Sequence, residues 1–220
     1  IARAPPGGGL RIQVDGDVVC FLDIAVEKSA AADTSDATTE TDAPSRGGGG
    51  EVGGGPLGLG GRVVIELFAC APLTTENFRC LCTGERGCSG ASRQPLHYKG
   101  VRLHRIIAGF MIQGGDLVHG NGRGCDSIYG GPFRDERFER KHDAAGLVAM
   151  ATNGRDTNGC QFYVTLAPAP HLDGSSVVFG RVTRGLDVLL RLAELPVDDE
   201  DAPLSRVWIH DCGELPAGGG

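Results

Sequence analysis

Short apolar runs rich in β-branched residues, each closed off by glycine, asparagine, aspartate or proline, set the strongest limit on what this chain can fold into. Residues 18–26 (VVCFLDIAV) and 62–68 (RVVIELF) read as buried strands, and shorter runs recur at 102–107, 110–113, 147–151, 161–165, 177–182 and 205–212. Two stretches carry helical spacing instead. In residues 72–82 (PLTTENFRCLC), Pro72 suits a first turn, Thr74 or Thr75 can cap, and Leu73, Phe78, Leu81 and Cys82 recur at spacings of three to four. Residues 186–195 (LDVLLRLAEL) form the second. Many short strands with two helices and glycine-rich turns imply a closed antiparallel barrel or a sandwich, and a barrel would leave no exposed edge. The only tryptophan, Trp208, falls in the last strand and is expected in the core.

One segment breaks this pattern. Residues 27–61 hold alanine, threonine, serine and aspartate followed by ten glycines, without hydrophobic period. Six acids against two bases place −4 of the total charge of −7 there. Such a segment cannot bury enough apolar surface to offset its ordering entropy. It reads as a long flexible excursion between two strands of a hairpin, which loop-closure entropy tolerates because it grows only logarithmically with length. The expected organisation is an N-terminal extension (1–17), a domain (18–215) interrupted at 27–61, and a flexible tail (216–220). The glycine runs lack the strand and helix context of a phosphate cradle.

Several function classes fall away. An acidic chain without a lysine or arginine run does not suit phosphate backbones. No stretch approaches the ~18 apolar residues that a membrane span needs. Residues 1–10 (IARAPPGGGL) show no apolar core of a signal peptide. The eight cysteines are Cys20, Cys70, Cys80, Cys82, Cys88, Cys125, Cys160 and Cys212. Cys80 and Cys82 are separated by one residue and no second pair follows, which does not match zinc spacing. They read as reduced structural thiols, favouring an intracellular, cytoplasmic compartment.

Residues 103–115 (LHRIIAGFMIQGG) closely resemble the cyclophilin segment [FY]-H-R-[IV]-I-x-x-F-M-x-Q-G-G. The resemblance continues through Asn121-Gly122, Ser127-Ile128-Tyr129-Gly130, residues 147–151 (LVAMA), 157–163 (TNGCQFY), 172–174 (LDG) and 177–180 (VVFG). It implies an eight-stranded antiparallel β-barrel capped by two α-helices, with substrate in a groove on its outside. It also implies a peptidyl-prolyl cis–trans isomerase, working as a monomer on proline-containing peptides and proteins without metal or cofactor.

The residue types suit that chemistry. Amide resonance sets a barrier of ~18–20 kcal/mol, and no bond need break to cross it. In the twisted state the proline nitrogen gains a lone pair, so a guanidinium aimed at it binds that state better than either planar one. Arg105 matches the family's catalytic arginine. Phe110, Met111 and Leu172 match its proline socket, with Tyr163 where phenylalanine is more usual. Gln113 matches a glutamine that orients substrate and supports the arginine. Gly122, Ala151, Thr152, Asn153 and Gln161 match peptide-contacting positions, Thr152 through its backbone.

Two departures stand out. His171 replaces the family's frequent rim tryptophan, whose indole N–H is associated with cyclosporin-type cyclic peptides, so reduced affinity for these is expected. Ser176 replaces a pocket histidine, so the pocket loses a wall. His104 is expected to pack in the barrel, and Ser176, His171 and Asp173 lack the surroundings of a catalytic triad. The loop at 87–96 lengthens a turn as in divergent-loop cyclophilins. By that resemblance Cys82 and Cys212 form a possible redox pair, and Asp126 ties the loop. The alternative function is a proline-peptide binding or scaffold module with residual catalysis.

Overall fold

In a computed structural model, residues 18–27 and 60–216 are described. The strands lie where the apolar runs predict them: β1 (Val19–Val26), β2 (Gly61–Leu67), β3 (Leu103–Ile107), β4 (Met111–Gly114), β5 (Leu147–Met150), β6 (Phe162–Thr165), β7 (Val178–Arg184) and β8 (Val207–Leu215). The helices are α1 (Pro72–Thr83) and α2 (Leu186–Leu192). Every neighbouring pair is antiparallel, in the order β3-β4-β6-β5-β7-β2-β1-β8. The two ends of that order then meet. The Gly100 N–H donates to the Ile209 carbonyl at 2.7 Å, and the Ile209 N–H to the Val101 carbonyl at 2.9 Å. The sheet therefore closes as a barrel.

β1 and β2 form the expected hairpin, in register from Val19 opposite Glu66 to Ile24 opposite Gly61. Residues 28–59 of the excursion between them, the extension at 1–17 and residues 217–220 lie outside the described residues. Trp208 differs from expectation. Val207 and Ile209 point inward on β8, so Trp208 points out, half-buried at the barrel seam with the Arg206 guanidinium 4.9 Å from its ring centre.

α1 plugs the barrel with Phe78, whose ring lies 5.3 Å from Tyr98, 5.2 Å from Phe162 and 5.1 Å from Phe179. All four side chains are fully buried. Neither threonine caps the helix. The carboxylate of Glu136 accepts the Leu73 N–H at 3.0 Å and the Thr74 N–H at 2.8 Å, doing from a distant loop what a local cap would do. The Thr75 hydroxyl instead donates to the Phe68 carbonyl. At the other end Gly84 takes the left-handed conformation (φ 71°), where an added Cβ would sit 2.8 Å from the His97 ring. α2 stops three residues short of its predicted end, because its last turn closes on Ala193 before Pro196.

None of the eight cysteines is in a disulfide, and five of them are buried. Glu76, Cys80 and Glu85 bring potential metal-ligating atoms within 4.8 Å of one another. Those atoms are already engaged by Arg79 and Arg86, and burial pushes the Cys80 thiol up to about 12, so the group is an ion-pair network. No helix among the described residues is long and apolar enough to cross a membrane.

Candidate active site

Strand alternation builds the site on the outside of the barrel. On β4, β5, β6 and β7, the residues Ile112, Val148, Met150, Phe162 and Phe179 enter the central core. Their neighbours Met111, Ala149, Tyr163 and Val178 face outward and join Phe68 in a second apolar cluster. Phe110, Ala151 and Leu172 pack on that cluster. Above it lies a cavity of 440 Å³ lined by His104, Arg105, Phe110, Met111, Gln113, Asn121, Gly122, Ala151, Thr152, Asn153, Gln161, Tyr163, Leu172 and Ser176. Every site position expected from the sequence is gathered there except His171 and the two cysteines. His171 stands at the rim, its ring 5.3 Å from that of Phe110.

A bulge explains the one reassigned histidine. Leu103 pairs with Gly114 and Arg105 with Gln113, so two steps on β3 match one on β4 and His104 is the extra residue. Strict alternation would send His104 inward. The bulge turns it, beside Arg105, toward the cavity, where neither ring nitrogen has a hydrogen-bond partner. Desolvation holds its pKa below the ordinary histidine value, outweighing the attraction of Asp116. Gly122, at φ +89°, leaves room for that ring, since a Cβ there would come within 3.0 Å of His104 Nε2.

Arg105 is held by a residue that no sequence pattern singles out. Its Nη2 and Nε donate to Asp201 Oδ2 at 2.9 and 3.2 Å, across 96 residues of chain. Asp201 is itself placed by its carbonyl, which accepts the Ile106 N–H at 2.8 Å. The expected support from Gln113 takes another form. Gln113 sits opposite Arg105 in register, but its Nε2 donates to Gln161 Oε1 at 2.9 Å. Gln161 Nε2 in turn donates to the carbonyls of Gly122 (2.9 Å) and Gly124 (2.7 Å). Those carbonyls can only accept, which fixes both amides and leaves the Gln113 oxygen as the free acceptor of the pair.

The loop carrying those glycines is organised by Asp116, which is 2 % exposed. Its carboxylate accepts backbone N–H bonds from Val118, His119, Asn121, Gly122 and Gly124. Burial alone would raise its pKa, but these donors bring it down to about 2. On the opposite wall, Ala151 and Asn153 are tied to Gln161 and Thr157, while Thr152 between them has no backbone partner among the described residues. Beneath the socket, the Tyr163 hydroxyl lies 2.7 Å from His142 Nε2, and His142 Nδ1 lies 3.0 Å from Asp173 Oδ1. Asp173 thus serves His142, not His171.

Cys82, Cys212 and Cys20 are all buried, and Cys20 and Cys212 both act electrostatically on the Cys82 thiol. Burial raises the Cys82 thiol well above its ordinary value and the Cys212 thiol to about 12. Asp126 faces the hydroxyls of Ser89 and Ser92 in the 87–96 loop.

A family model described as cyclophilin type peptidyl-prolyl cis-trans isomerase matches residues 57–214. A curated relative, peptidyl-prolyl cis-trans isomerase cyp11 of Rhizopus delemar, is 57% identical over 156 residues, covering 70% of this chain and 46% of that protein. The chain thus spans about half the length of that relative.

Proposed function

Since the chain belongs to the cyclophilin-type peptidyl-prolyl cis-trans isomerase family, we propose that it accelerates rotation about Xaa-Pro peptide bonds in proline-containing proteins. The observation that carries this reading is the placement of one guanidinium beside an apolar socket in a single outward cavity. The proline ring enters the socket of Phe110, Met111 and Leu172. The Asp201 pair occupies Nε and Nη2 of Arg105, so Nη1 is the edge left to meet the proline nitrogen as it pyramidalises. The Gln113 oxygen and the unpaired Thr152 backbone hold the flanking peptide in an extended register. Nothing in this scheme needs a nucleophile, since no covalent bond changes.

A protease-coupled assay on a short Ala-Xaa-Pro-Phe peptide tests the proposal, with Arg105→Ala as control. Isomerisation by the wild type above background, lost in the variant, supports an enzyme. Tight peptide binding with background rates in both would make it a binding module. For cyclosporin-type cyclic peptides we propose reduced affinity, because His171 on Phe110 offers no indole N–H; a His171→Trp variant should bind them more tightly. Eight cysteines outside any disulfide, five of them buried, favour a reducing, cytoplasmic setting.

A further inference from the structure

Of residues 134–145, which lead the chain from Phe133 back toward β5, only His142 is buried, and it is fully so. Its neighbours Arg140, Lys141 and Asp143 are exposed, so the segment turns inward for this one side chain. The bonds it makes there bracket the turn that carries one wall of the proline socket. The His142 carbonyl accepts the Ala169 N–H at 2.8 Å, just before the 3-10 turn Pro170–Leu172. Just after that turn, Asp173 Oδ1 accepts both the His142 N–H (2.8 Å) and the ring at Nδ1 (3.0 Å). An ionised carboxylate only accepts, so the ring proton sits on Nδ1, and Nε2 of the neutral ring accepts from the Tyr163 hydroxyl at 2.7 Å. None of the three turn residues is buried, so apolar packing does little to seat the turn, and the bracket has to do so.

We infer that His142 is a positioning residue that fixes the width of the proline socket and so its selectivity for ring size. This deepens the proposed prolyl isomerase reading and rests on it. Leu172, the last residue of the turn, lines the cavity and packs on the cluster that holds Met111 and Tyr163. Its turn is tied down at both ends by His142, and Tyr163 is tied to the same imidazole. Wall and floor therefore keep a set separation. A ring one atom larger than proline enters only if Leu172 withdraws, which the bracket resists. His142 is not itself a lining residue of the cavity and acts through Leu172 and Tyr163. Because both donors converge on one oxygen of Asp173, the bracket needs an acceptor at that position and not a charge.

The test uses two short peptides that differ only in the central imino acid, proline or its six-membered homologue pipecolate. Isomerisation rate and equilibrium affinity are both measured for the wild type, Asp173→Ala, Asp173→Asn and His142→Leu. Asp173→Ala cuts the bracket at a partly exposed residue outside the cavity, so it keeps the test decisive if the buried His142→Leu does not fold. The expected result is a preference for proline over pipecolate that falls by ~2–10-fold in Asp173→Ala, the worth of one net hydrogen bond. It should fall further in His142→Leu, which loses the Tyr163 link as well. In Asp173→Asn it should return to the wild-type value, because the amide oxygen can accept both donors. The loss should appear in KM, with kcat on proline nearly unchanged, since Arg105 is not touched. A preference unchanged in Asp173→Ala would overturn the inference even if that variant is less stable, and so would an Asp173→Asn as relaxed as Asp173→Ala. Background rates with the shift in ring preference still present in the affinities would count against the isomerase reading and leave the positioning role standing. Absence of binding to either peptide would remove both.

Discussion

Arg105 and Gln161 face the same cavity, yet they are held in different ways. The Arg105 side chain is 46% exposed and is tied to one carboxylate, Asp201, that is itself 36% exposed. Gln161 is buried, donates to two backbone carbonyls and accepts from Gln113. Those carbonyls belong to a loop pinned by five N–H bonds to Asp116. One wall is thus over-determined by main chain that cannot be satisfied elsewhere, and the other is a charge on a tether. The difference fits a division of labour. A wall that reads an extended peptide must keep its register, while a group that follows the proline nitrogen through a rotation gains from some freedom.

The largest expected effect breaks the tethered side. Among the described residues Arg105 is the one guanidinium lining the cavity, so on the proposed reading Arg105→Ala should lower kcat/KM by ~10²–10³, the usual cost of losing one preorganised transition-state donor. Peptide affinity should change little, because the socket is intact. Arg105→Lys should recover only part of the loss, since an ammonium cannot keep two donors on Asp201 and another on the nitrogen. A variant as active as the wild type would remove Arg105 from the mechanism.

Breaking the rigid side should instead cost stability. Asp116→Ala strands five backbone donors and is expected to destabilise the fold by ~2–4 kcal/mol in denaturant titrations. The same group gives a pH signature. Its folded pKa of about 2 lies below the ordinary aspartate value, so its stabilisation is complete above the unfolded pKa and is lost as pH falls through the folded one. The wild type should therefore lose roughly 2 kcal/mol between about pH 4.5 and pH 2 from this residue. An Asp116→Asn variant should show a correspondingly flatter acid limb. Parallel limbs would mean that the carboxylate charge contributes nothing.

These two walls also differ in how far the sequence exposes them. Arg105, Phe110, Met111 and Gln113 sit within nine residues of one another: Arg105 pairs with Gln113, Met111 and Gln113 share a face of β4, and Phe110 packs beside them from the turn, so local pattern suffices. The strands were legible for the same reason, each apolar run ending in a turn residue. What pattern cannot show is a contact made by closure of the barrel. Asp201 lies in an acidic loop (DDED) whose members look alike until β3 is brought beside it. Glu136 at the head of α1 was equally invisible, since the helix supplies its own plausible threonine caps. His104 was misread because a one-residue bulge reverses alternation, and nothing in the sequence marks it. His142 carried a weak signal, a histidine between charged residues, with its partners 21 and 31 positions away.

Gln161→Leu comes next in size. It leaves the Gly122 and Gly124 carbonyls without their donor and frees Gln113, so a loss of ~1–3 kcal/mol in stability should accompany a raised KM. If KM stays fixed while stability falls, Gln161 is a strut for the loop and not part of the peptide-reading wall.

The smallest effect should come from the tether itself. An ion pair this exposed is worth only ~0.2–1 kcal/mol, so Asp201→Asn should leave thermal stability nearly unchanged. Asparagine is the appropriate replacement because Asp201 sits at φ 64°, a conformation that asparagine tolerates and alanine does not. If the pair aims the guanidinium, kcat should fall by ~2–5-fold with KM held, on the scale of a surface ion pair. Salt supplies the second readout. At ~1 M salt the Debye length shrinks to about 3 Å, and the wild type should drift toward the variant while the variant barely responds. Identical kcat at every salt concentration would make Asp201 a spectator and leave Arg105 self-aiming. A kcat that rises on substitution would mean that the carboxylate competes with the proline nitrogen for the same positive edge, and the tethered wall would then be one that holds its catalyst back.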